Sequence, residues 1–386
     1  MKVLVIFIDM VRTDLMFLYN KKAKATPFDL LIEQIGGTLF TNCYTPAPDT
    51  PRSLACMQTG LLPTMNGCDS RIKWPQFYID KSIDTMWDLL IRNNIEINYF
   101  NQKSSYETGP ISRKDKTKIK VYHLLDDFKK NILSGSTEDE LDYLTLNDYH
   151  WCIDDYGGTI NATIKAKCIL AEILKEYFVQ HDINEYDHIF IHSDHGHLLD
   201  KEIAIQKSDL EYLNDSRTKI LMFHHQKNDQ KGRVSYNRNL HSVQDVFATM
   251  MEVFHIDTDK RNSCSLLSTQ GHDFIVIEDH NNFAVTLNQR ILLWRYISKG
   301  GGSLYTNIYN TSILGDVDRE SAVKCIKKYS PSYIDCEKQI EILNKYKQLK
   351  SEQICYNNGT KRPGYGWRFA TKVKNRIKRR MLKWFY

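Results

Sequence analysis

The chain has 386 residues, of which 42% are hydrophobic and 26% are charged, and its formal net charge at pH 7 is +5. This is a globular composition, and the length suffices for one large α/β domain with a smaller appendage. No apolar stretch approaches the length of a membrane span, and the N-terminal apolar run reaches Asp9 without a small-residue cleavage site. Nine cysteines without a CxxC pair argue against a disulfide framework or a structural zinc. We therefore expect a protein of a reducing compartment, the cytoplasm.

Short β-branched runs alternate with longer helical patterns up to about residue 255. The predicted strands cover residues 2–8, 96–100, 142–147, 187–193 and 218–224. The predicted helices between and after them cover residues 83–94, 163–182 and 242–254. Such alternation predicts an α/β fold with a mainly parallel central sheet and helices on both faces. In such a sheet, ligands gather at the carboxyl ends of the strands.

The pattern changes after about residue 272. The runs DFIVIED, NFAVTL and RILLWRYIS are closely spaced and predict a small antiparallel sheet, and two polar helical patterns follow near 316–328 and 335–352. We divide the chain into a catalytic α/β domain (1–265), a small antiparallel sheet with helices (266–355) and a basic amphipathic tail (356–386).

The positive charge of the chain is concentrated in its tail. The last 26 residues contain ten Lys or Arg and no acidic residue, which leaves a net charge of −5 for residues 1–360. Val373, Ile377, Met381 and Trp384 recur at helical spacing among these cations, a composition typical of a helix on an anionic membrane surface. A solvated basic helix or a nucleic-acid tail is the alternative, but no nucleic-acid motif accompanies it. We expect peripheral binding to the inner face of the plasma membrane and no nucleic-acid partner.

Polar residues stand where the predicted strands end. Asp9 ends the first strand, Thr50 opens a helix in PAPDTPRSLACMQTG, and Asp194 and His195 follow the strand at 187–193. Because parallel strands present these ends at one edge, the four residues are expected to converge. Two carboxylates, an imidazole and a hydroxyl suit one divalent cation. Each also has an ordinary explanation, since Asp often caps a helix and Thr before Pro is a favoured N-cap.

Four segments resemble, in order and spacing, the sulfatase-like branch of the alkaline phosphatase superfamily: VLVIFIDMVRTD, FTNCYTPAPDTPRSLACMQTGLLPTMNG, IFIHSDHGHLLD and SVQDVFATMMEVFHI. The resemblance covers about residues 1–300. Sulfatases use a formylglycine made from Cys or Ser, and threonine cannot be converted to it. The spacing T-x-x-S-x-x-C-M-x-[S/T] of the bacterial phosphoethanolamine transferases, which use threonine, is matched by Thr50, Ser53, Cys56, Met57 and Thr59.

This resemblance implies a metal site. Phosphoethanolamine transferases and lipoteichoic acid synthases bind one catalytic metal at positions that match Asp9, Thr50, Asp194 and His195. The implied ion is manganese or zinc, with magnesium or calcium as alternatives. Where sulfatases carry a second acidic residue, this chain has Met10. Those transferases also have membrane-spanning helices and an extracytoplasmic catalytic domain, neither of which we expect here.

Further residues receive candidate roles beside the Thr50 nucleophile. Arg52 is a candidate for gripping phosphoryl oxygens, with a merely solvated Arg as the alternative. His150 is a candidate for binding the phosphoryl group or protonating the leaving group, with a structural loop His as the alternative. His197 is expected to line the same cleft. His241 is a lower-ranked candidate for a second metal, because no Asp-x-x-x-His ligand pattern is evident.

These observations predict a metal-dependent phosphotransferase. It would move a phosphoethanolamine- or phosphoglycerol-type substituent from a lipid- or nucleotide-linked donor to a glycan hydroxyl, through a phosphothreonine intermediate, in bacterial surface polysaccharide synthesis. One alternative is a phosphodiesterase or phosphatase that gives the same intermediate to water. Another is a non-catalytic, sulfatase-like binding protein.

Overall fold

The computed structural model describes residues 1–68, 79–101, 119–123, 139–205, 214–258, 261, 263–272 and five later strands. The helices are α1 (Pro27–Ile35), α2 (Thr50–Thr59), α3 (Pro63–Asn66), α4 (Met86–Arg92), α5 (Asp148–Tyr156), α6 (Ile160–Gln180), α7 (Asp200–Ile205), α8 (Asp215–Thr218) and α9 (Asp245–Val253). The strands of the first 258 residues are β1 (Lys2–Ile8), β2 (Gly37–Phe40), β3 (Cys43–Tyr44), β4 (Glu96–Asn101), β5 (Ile119–His123), β6 (Glu140–Leu146), β7 (His188–Ser193), β8 (Met222–Gln226), β9 (Val234–Asn237) and β10 (His241–Ser242).

An eight-stranded sheet forms the centre of the protein, in the order β5-β4-β6-β1-β7-β8-β2-β9. The five strands from β5 to β7 are all parallel, and β2 pairs with β9 in parallel. Strand β8 runs against both of its neighbours, β7 and β2. The mainly parallel sheet predicted from the sequence is confirmed.

Helices cover both faces of this sheet, so β1 is buried on both sides. Leu4 and Ile6 pack with residues of α1, α5 and α6. Val5 and Phe7 point the other way and pack with residues of α2, α4 and α9. The alternation follows from the period of two along a strand. The two layers hold the ends of β1 and β7 at the middle of the sheet, where the predicted site lies.

Most predicted elements begin or end one to four residues away from their predicted bounds, and two of these differences have a visible cause. The strand expected at 218–224 is Met222–Gln226, because α8 occupies residues 215–218 and delays the start of β8. The helix expected to begin at 163 begins at Ile160, because the Thr159 hydroxyl accepts the Ala162 N–H at 3.1 Å and caps it. A capping residue such as Thr159 can be recognised in the sequence only when the start of its helix is known.

The later strands form a separate five-stranded antiparallel sheet. They are β11 (Ile275–Asp279), β12 (Asn282–Leu287), β13 (Arg290–Tyr296), β14 (Gly302–Asn307) and β15 (Ser312–Asp316), paired in chain order. The antiparallel sheet is confirmed, with two strands more than predicted. The polar helices expected near 316–328 and 335–352 and the tail at 356–386 lie outside the described residues, and the domain boundaries stay predictions. Among the described helices, none is long and apolar enough to span a bilayer.

Candidate metal centre

The central strands bring three predicted ligands together. Asp9 directly follows β1, and Asp194 and His195 directly follow β7, its parallel neighbour. The Asp9 N–H still donates to the Leu146 carbonyl at 3.1 Å, so Asp9 lies at the carboxyl end of β1, where the pairing with β6 ends. All three side chains are buried, and one ligand atom from each lies within 4.8 Å of the others. They form a buried group able to hold a divalent metal ion.

Thr50 completes this cluster from the first residue of α2. Its Oγ1 lies 3.2 Å from His195 Nε2 and 3.4 Å from Asp9 Oδ1. The alternative that Thr50 is the helix cap is wrong, because Asp49 holds that position and its carboxylate accepts the Arg52 N–H at 3.4 Å. The Thr50 hydroxyl therefore lies at the positive end of the helix dipole and faces the carboxylates.

The hydrogen bonds of the cluster leave Asp194 Oδ2 and His195 Nε2 facing each other. His195 Nδ1 donates to the Gly196 carbonyl at 2.8 Å, so in the neutral imidazole the lone pair is on Nε2. Asp194 Oδ1 accepts the N–H groups of Met10 and His195 at 3.0 and 2.8 Å. Asp194 Oδ2 is buried with no hydrogen-bond partner among the described residues and lies 3.3 Å from His195 Nε2. A cation would satisfy both atoms, and carboxylate oxygen with imidazole nitrogen is a ligand set that manganese and zinc accept.

Burial shifts the pKa values of Asp194 and His195 in the directions expected when no metal ion is bound. It raises the pKa of Asp194 well above its usual range, and the nearby charge of Asp9 adds to the effect. Burial also lowers the pKa of His195 to about 4, with the positive charge of Arg217 as the next cause. The imidazole is thus neutral at pH 7, the form that binds metals.

His150 contacts the second oxygen of Asp9. Its Nδ1 lies 2.8 Å from Asp9 Oδ2, and its Nε2 lies 3.3 Å from Asp154 Oδ2. Burial lowers the pKa of His150, but the hydrogen bond and charge of Asp9 outweigh it and raise the pKa to about 9. The His150 side chain is 29% exposed. The residue lies on α5, so it is not the structural loop histidine of the alternative interpretation. A half-buried imidazolium next to the cluster has the position and protonation state of a proton donor.

Arg52 and His197, the other two predicted contacts, are buried. Arg52 Nε donates to Asp49 Oδ2 at 2.7 Å, so a merely solvated Arg is excluded. His197 Nδ1 donates to the Met10 carbonyl at 3.2 Å, and burial lowers the pKa of His197 to about 4. Direct contact of either residue with a substrate stays a prediction.

His241 belongs to a different cluster. Its Nδ1 lies 3.2 Å from Asp245 Oδ2, and the other oxygen of Asp245 lies 2.7 Å from His272 Nε2. In the described part of the chain, the group that could hold a metal consists of Asp9, Asp194 and His195, without His241.

Solved structures with a similar fold cover most of the chain, whereas no protein-family model and no curated protein matches it. A Bacteroides thetaiotaomicron protein assigned as a sulfatase has a TM-score of 0.63 at 13% identity over 92% of each chain. An alkaline phosphatase superfamily protein from Vibrio parahaemolyticus gives 0.59 at 12% identity over 83% of each. A phosphonate monoester hydrolase from Silicibacter pomeroyi gives 0.54 at 10% identity over 81% of this chain and 90% of that one.

The chain has the fold of the alkaline phosphatase superfamily. Identities this low establish the fold alone, so the chemistry has to be argued from the residues of the cluster. The residues that hold the candidate ligands in place were not predicted from the sequence. Ser53 Oγ donates to the Asp194 carbonyl at 2.9 Å, and the Arg217 guanidinium donates to the Pro48 carbonyl. Asp49 and Thr50 are both favoured cap residues by type, and the contacts of Ser53 and Arg217 join residues distant in sequence.

Proposed function

We propose that the chain is a metal-dependent phosphotransferase in which Thr50 is the nucleophile. The observation that supports this most is the position of Thr50 Oγ1, within 3.4 Å of Asp9 Oδ1 and His195 Nε2 at the start of α2. An aliphatic alcohol is a weak nucleophile at neutral pH and needs such activation. Helix N-termini also bind phosphoryl oxygens through their free N–H groups.

In this proposal, some residues of the site bind the metal ion and another transfers a proton. Asp9, Asp194 and His195 would hold one divalent cation, which when bound lowers the pKa of the Thr50 hydroxyl and neutralises charge on the phosphoryl group. Thr50 loses its proton to water, and its Oγ forms a bond to phosphorus as the donor's P–O bond breaks. His150 protonates the departing oxygen. An acceptor hydroxyl then gives its proton to the neutral His150 and attacks the same phosphorus, and the P–O bond to Thr50 breaks.

A threonine nucleophile favours phosphoryl over sulfuryl chemistry, because it cannot become the formylglycine of sulfatases. The spacing of Thr50, Ser53 and Cys56 favours donors of the phosphoethanolamine or phosphoglycerol type. The basic amphipathic tail at 356–386 is consistent with work at an anionic inner membrane surface, where a lipid- or nucleotide-linked donor meets a glycan acceptor.

A hydrolase of the same chemistry is the second candidate. The His150 side chain, which contacts Asp9, is 29% exposed and accessible to water, and one structure of similar fold is a phosphonate monoester hydrolase. A non-catalytic binding protein is disfavoured, because it would have no use for a metal-ligand set that includes a hydroxyl.

The test uses the purified full chain with Mn²⁺ or Zn²⁺ and the chromogenic diester bis(p-nitrophenyl) phosphate. We expect nitrophenol release and, after an acid quench, a phosphoryl adduct on the Thr50 peptide by mass spectrometry. A transferase should release nitrophenol faster when oligosaccharide acceptors are added, whereas a hydrolase should not respond. Turnover without any adduct on Thr50 would count against the proposed nucleophile, and no turnover with any metal would favour the binding protein.

A further inference from the structure

Met10 adopts a backbone conformation that a methionine rarely takes, directly beside Asp9. Its φ is +66°, in the left-handed region that favours glycine. Asp9 is still part of the hydrogen-bond ladder to β6, so the chain leaves the strand abruptly at Met10. Strained backbone of this kind persists only where surrounding contacts hold it, and it concentrates at functional sites.

Both polar groups of Met10 are held by residues from the segment after β7. The Met10 N–H donates to Asp194 Oδ1 at 3.0 Å. The Met10 carbonyl accepts the Nδ1–H of His197 at 3.2 Å. One of these partners is a predicted metal ligand, and the other lies two residues beyond the ligand His195. Two hydrogen bonds therefore connect the turn after Asp9 to the segment after β7.

His197 is itself fixed on several sides. It is 3% exposed, and its ring meets the edge of Tyr149 at a centroid distance of 5.7 Å. The Tyr149 hydroxyl accepts the Arg12 N–H at 3.5 Å, and Arg12 Nη1 donates to the His197 carbonyl at 3.3 Å. The carbonyl of Met10 can only accept, so the proton of the His197 ring is on Nδ1. A rigid, buried donor is thus aimed at the backbone next to Asp9.

We propose that His197 is a positioning residue of the metal centre. By holding the Met10 carbonyl, it keeps Met10 in the left-handed turn that sets the Asp9 carboxylate opposite Asp194. This rests on the part of the proposed function in which Asp9 and Asp194 hold a divalent ion, but not on which reaction follows. Partners that orient ligands in this way typically change metal affinity about 10- to 100-fold when they are removed.

Three substitutions of His197 isolate the Nδ1 donor. Asparagine puts its Nδ2–H at the position of the imidazole Nδ1, glutamine puts its donor near the position of Nε2, and alanine has none. Binding of Mn²⁺ alone to the full chain is measured by titration calorimetry, with unfolding monitored by circular dichroism. We expect His197→Ala and His197→Gln to bind Mn²⁺ about 10- to 100-fold more weakly than the parent. His197→Asn should stay within about threefold, since the donor is retained.

Two substitutions of Met10 test the turn without touching His197. Met10→Val introduces a β-branched side chain, which is strongly disfavoured at positive φ, whereas Met10→Leu keeps an unbranched Cβ. We expect weaker Mn²⁺ binding for Met10→Val and near-parental binding for Met10→Leu. If any of these variants fails to fold, the others decide the question.

The outcomes separate this inference from the proposed function. Parental affinity in His197→Ala and Met10→Val, or equal losses in His197→Asn and His197→Ala, would overturn the positioning role while the metal centre stands. A parent chain that binds neither Mn²⁺ nor Zn²⁺ would overturn both. Lower stability with unchanged Mn²⁺ affinity in the folded variants would identify His197 as structural only.

Discussion

Thr50→Ala separates the chemistry of the site from the stability of the fold. Because Asp49 is the cap of α2, the substitution leaves the cap in place and removes one buried hydroxyl and one methyl. Burial of a methyl contributes about 0.8 kcal/mol and a net hydrogen bond about 0.5 to 1.5 kcal/mol. The free energy of unfolding should therefore fall by about 1 to 2 kcal/mol, which a domain stable by about 5 to 15 kcal/mol tolerates.

Turnover should fall much further than stability. Loss of a covalent nucleophile typically costs a thousandfold or more, which is about 4 kcal/mol of transition-state stabilisation. Thr50→Ser keeps the oxygen and should retain part of the activity. The rate is measured as nitrophenol release with Mn²⁺, and stability by urea unfolding of the same samples.

Asp49→Ala is the matched control. It removes the helix cap, worth about 0.5 to 2 kcal/mol, and takes a buried ionic partner from Arg52, a kind of loss that costs about 3 to 5 kcal/mol. It should thus be the more destabilising of the two substitutions. A Thr50→Ala protein that keeps a tenth or more of the parental rate would refute the nucleophile. If it unfolded more easily than Asp49→Ala, Thr50 would be a structural residue.

The remaining predictions concern metal and membrane. Asp194→Asn keeps an acceptor for the two N–H groups at Oδ1 and puts an N–H donor opposite His195 Nε2. In EDTA, the free energy of unfolding of the variant should therefore exceed that of the parent by about 1 kcal/mol, and its melting temperature should be higher. Mn²⁺ should raise the parent's melting temperature but not the variant's, and equal shifts would place the metal elsewhere. Truncation after Thr360 removes ten positive charges, each worth about 1 kcal/mol near an anionic bilayer. The full chain should co-sediment with phosphatidylserine-containing vesicles at low salt and the truncated chain should not; equal sedimentation would refute the membrane role.

The convergence of the candidate ligands was predictable because it follows from topology. Once β1 and β7 are parallel neighbours, residues directly after them must share one edge of the sheet, whatever their side chains. Asp9 and Asp194 are such residues, so a rule about strand ends was enough. The direction of β8 was not predictable in this way, because an apolar run has the same pattern in either orientation.

The orientation of the candidate ligands could not be predicted, for a different physical reason. The left-handed turn at Met10 has no local signal, since neither glycine nor asparagine occupies the position. It is held by His197, which is distant in sequence, and a single ring hydrogen bond of this kind leaves no periodicity to detect. Asp49 and Thr50 were equally good caps by residue type, and only the observed contact of Asp49 with Arg52 distinguishes them.

The energetics of the cluster connect its stability to its function. Burial of Asp194 next to Asp9 raises the pKa of Asp194, so the metal-free fold loses stability as the pH rises from the ordinary range of a carboxyl towards that raised value. A bound cation removes this cost, because it favours both carboxylates in their charged form and accepts the lone pair of His195. Any ligand that binds only the folded state also stabilises it by mass action. Binding of a divalent cation is therefore a change that the buried carboxylates favour, which is a physical argument for the proposal that Asp9, Asp194 and His195 hold a metal ion.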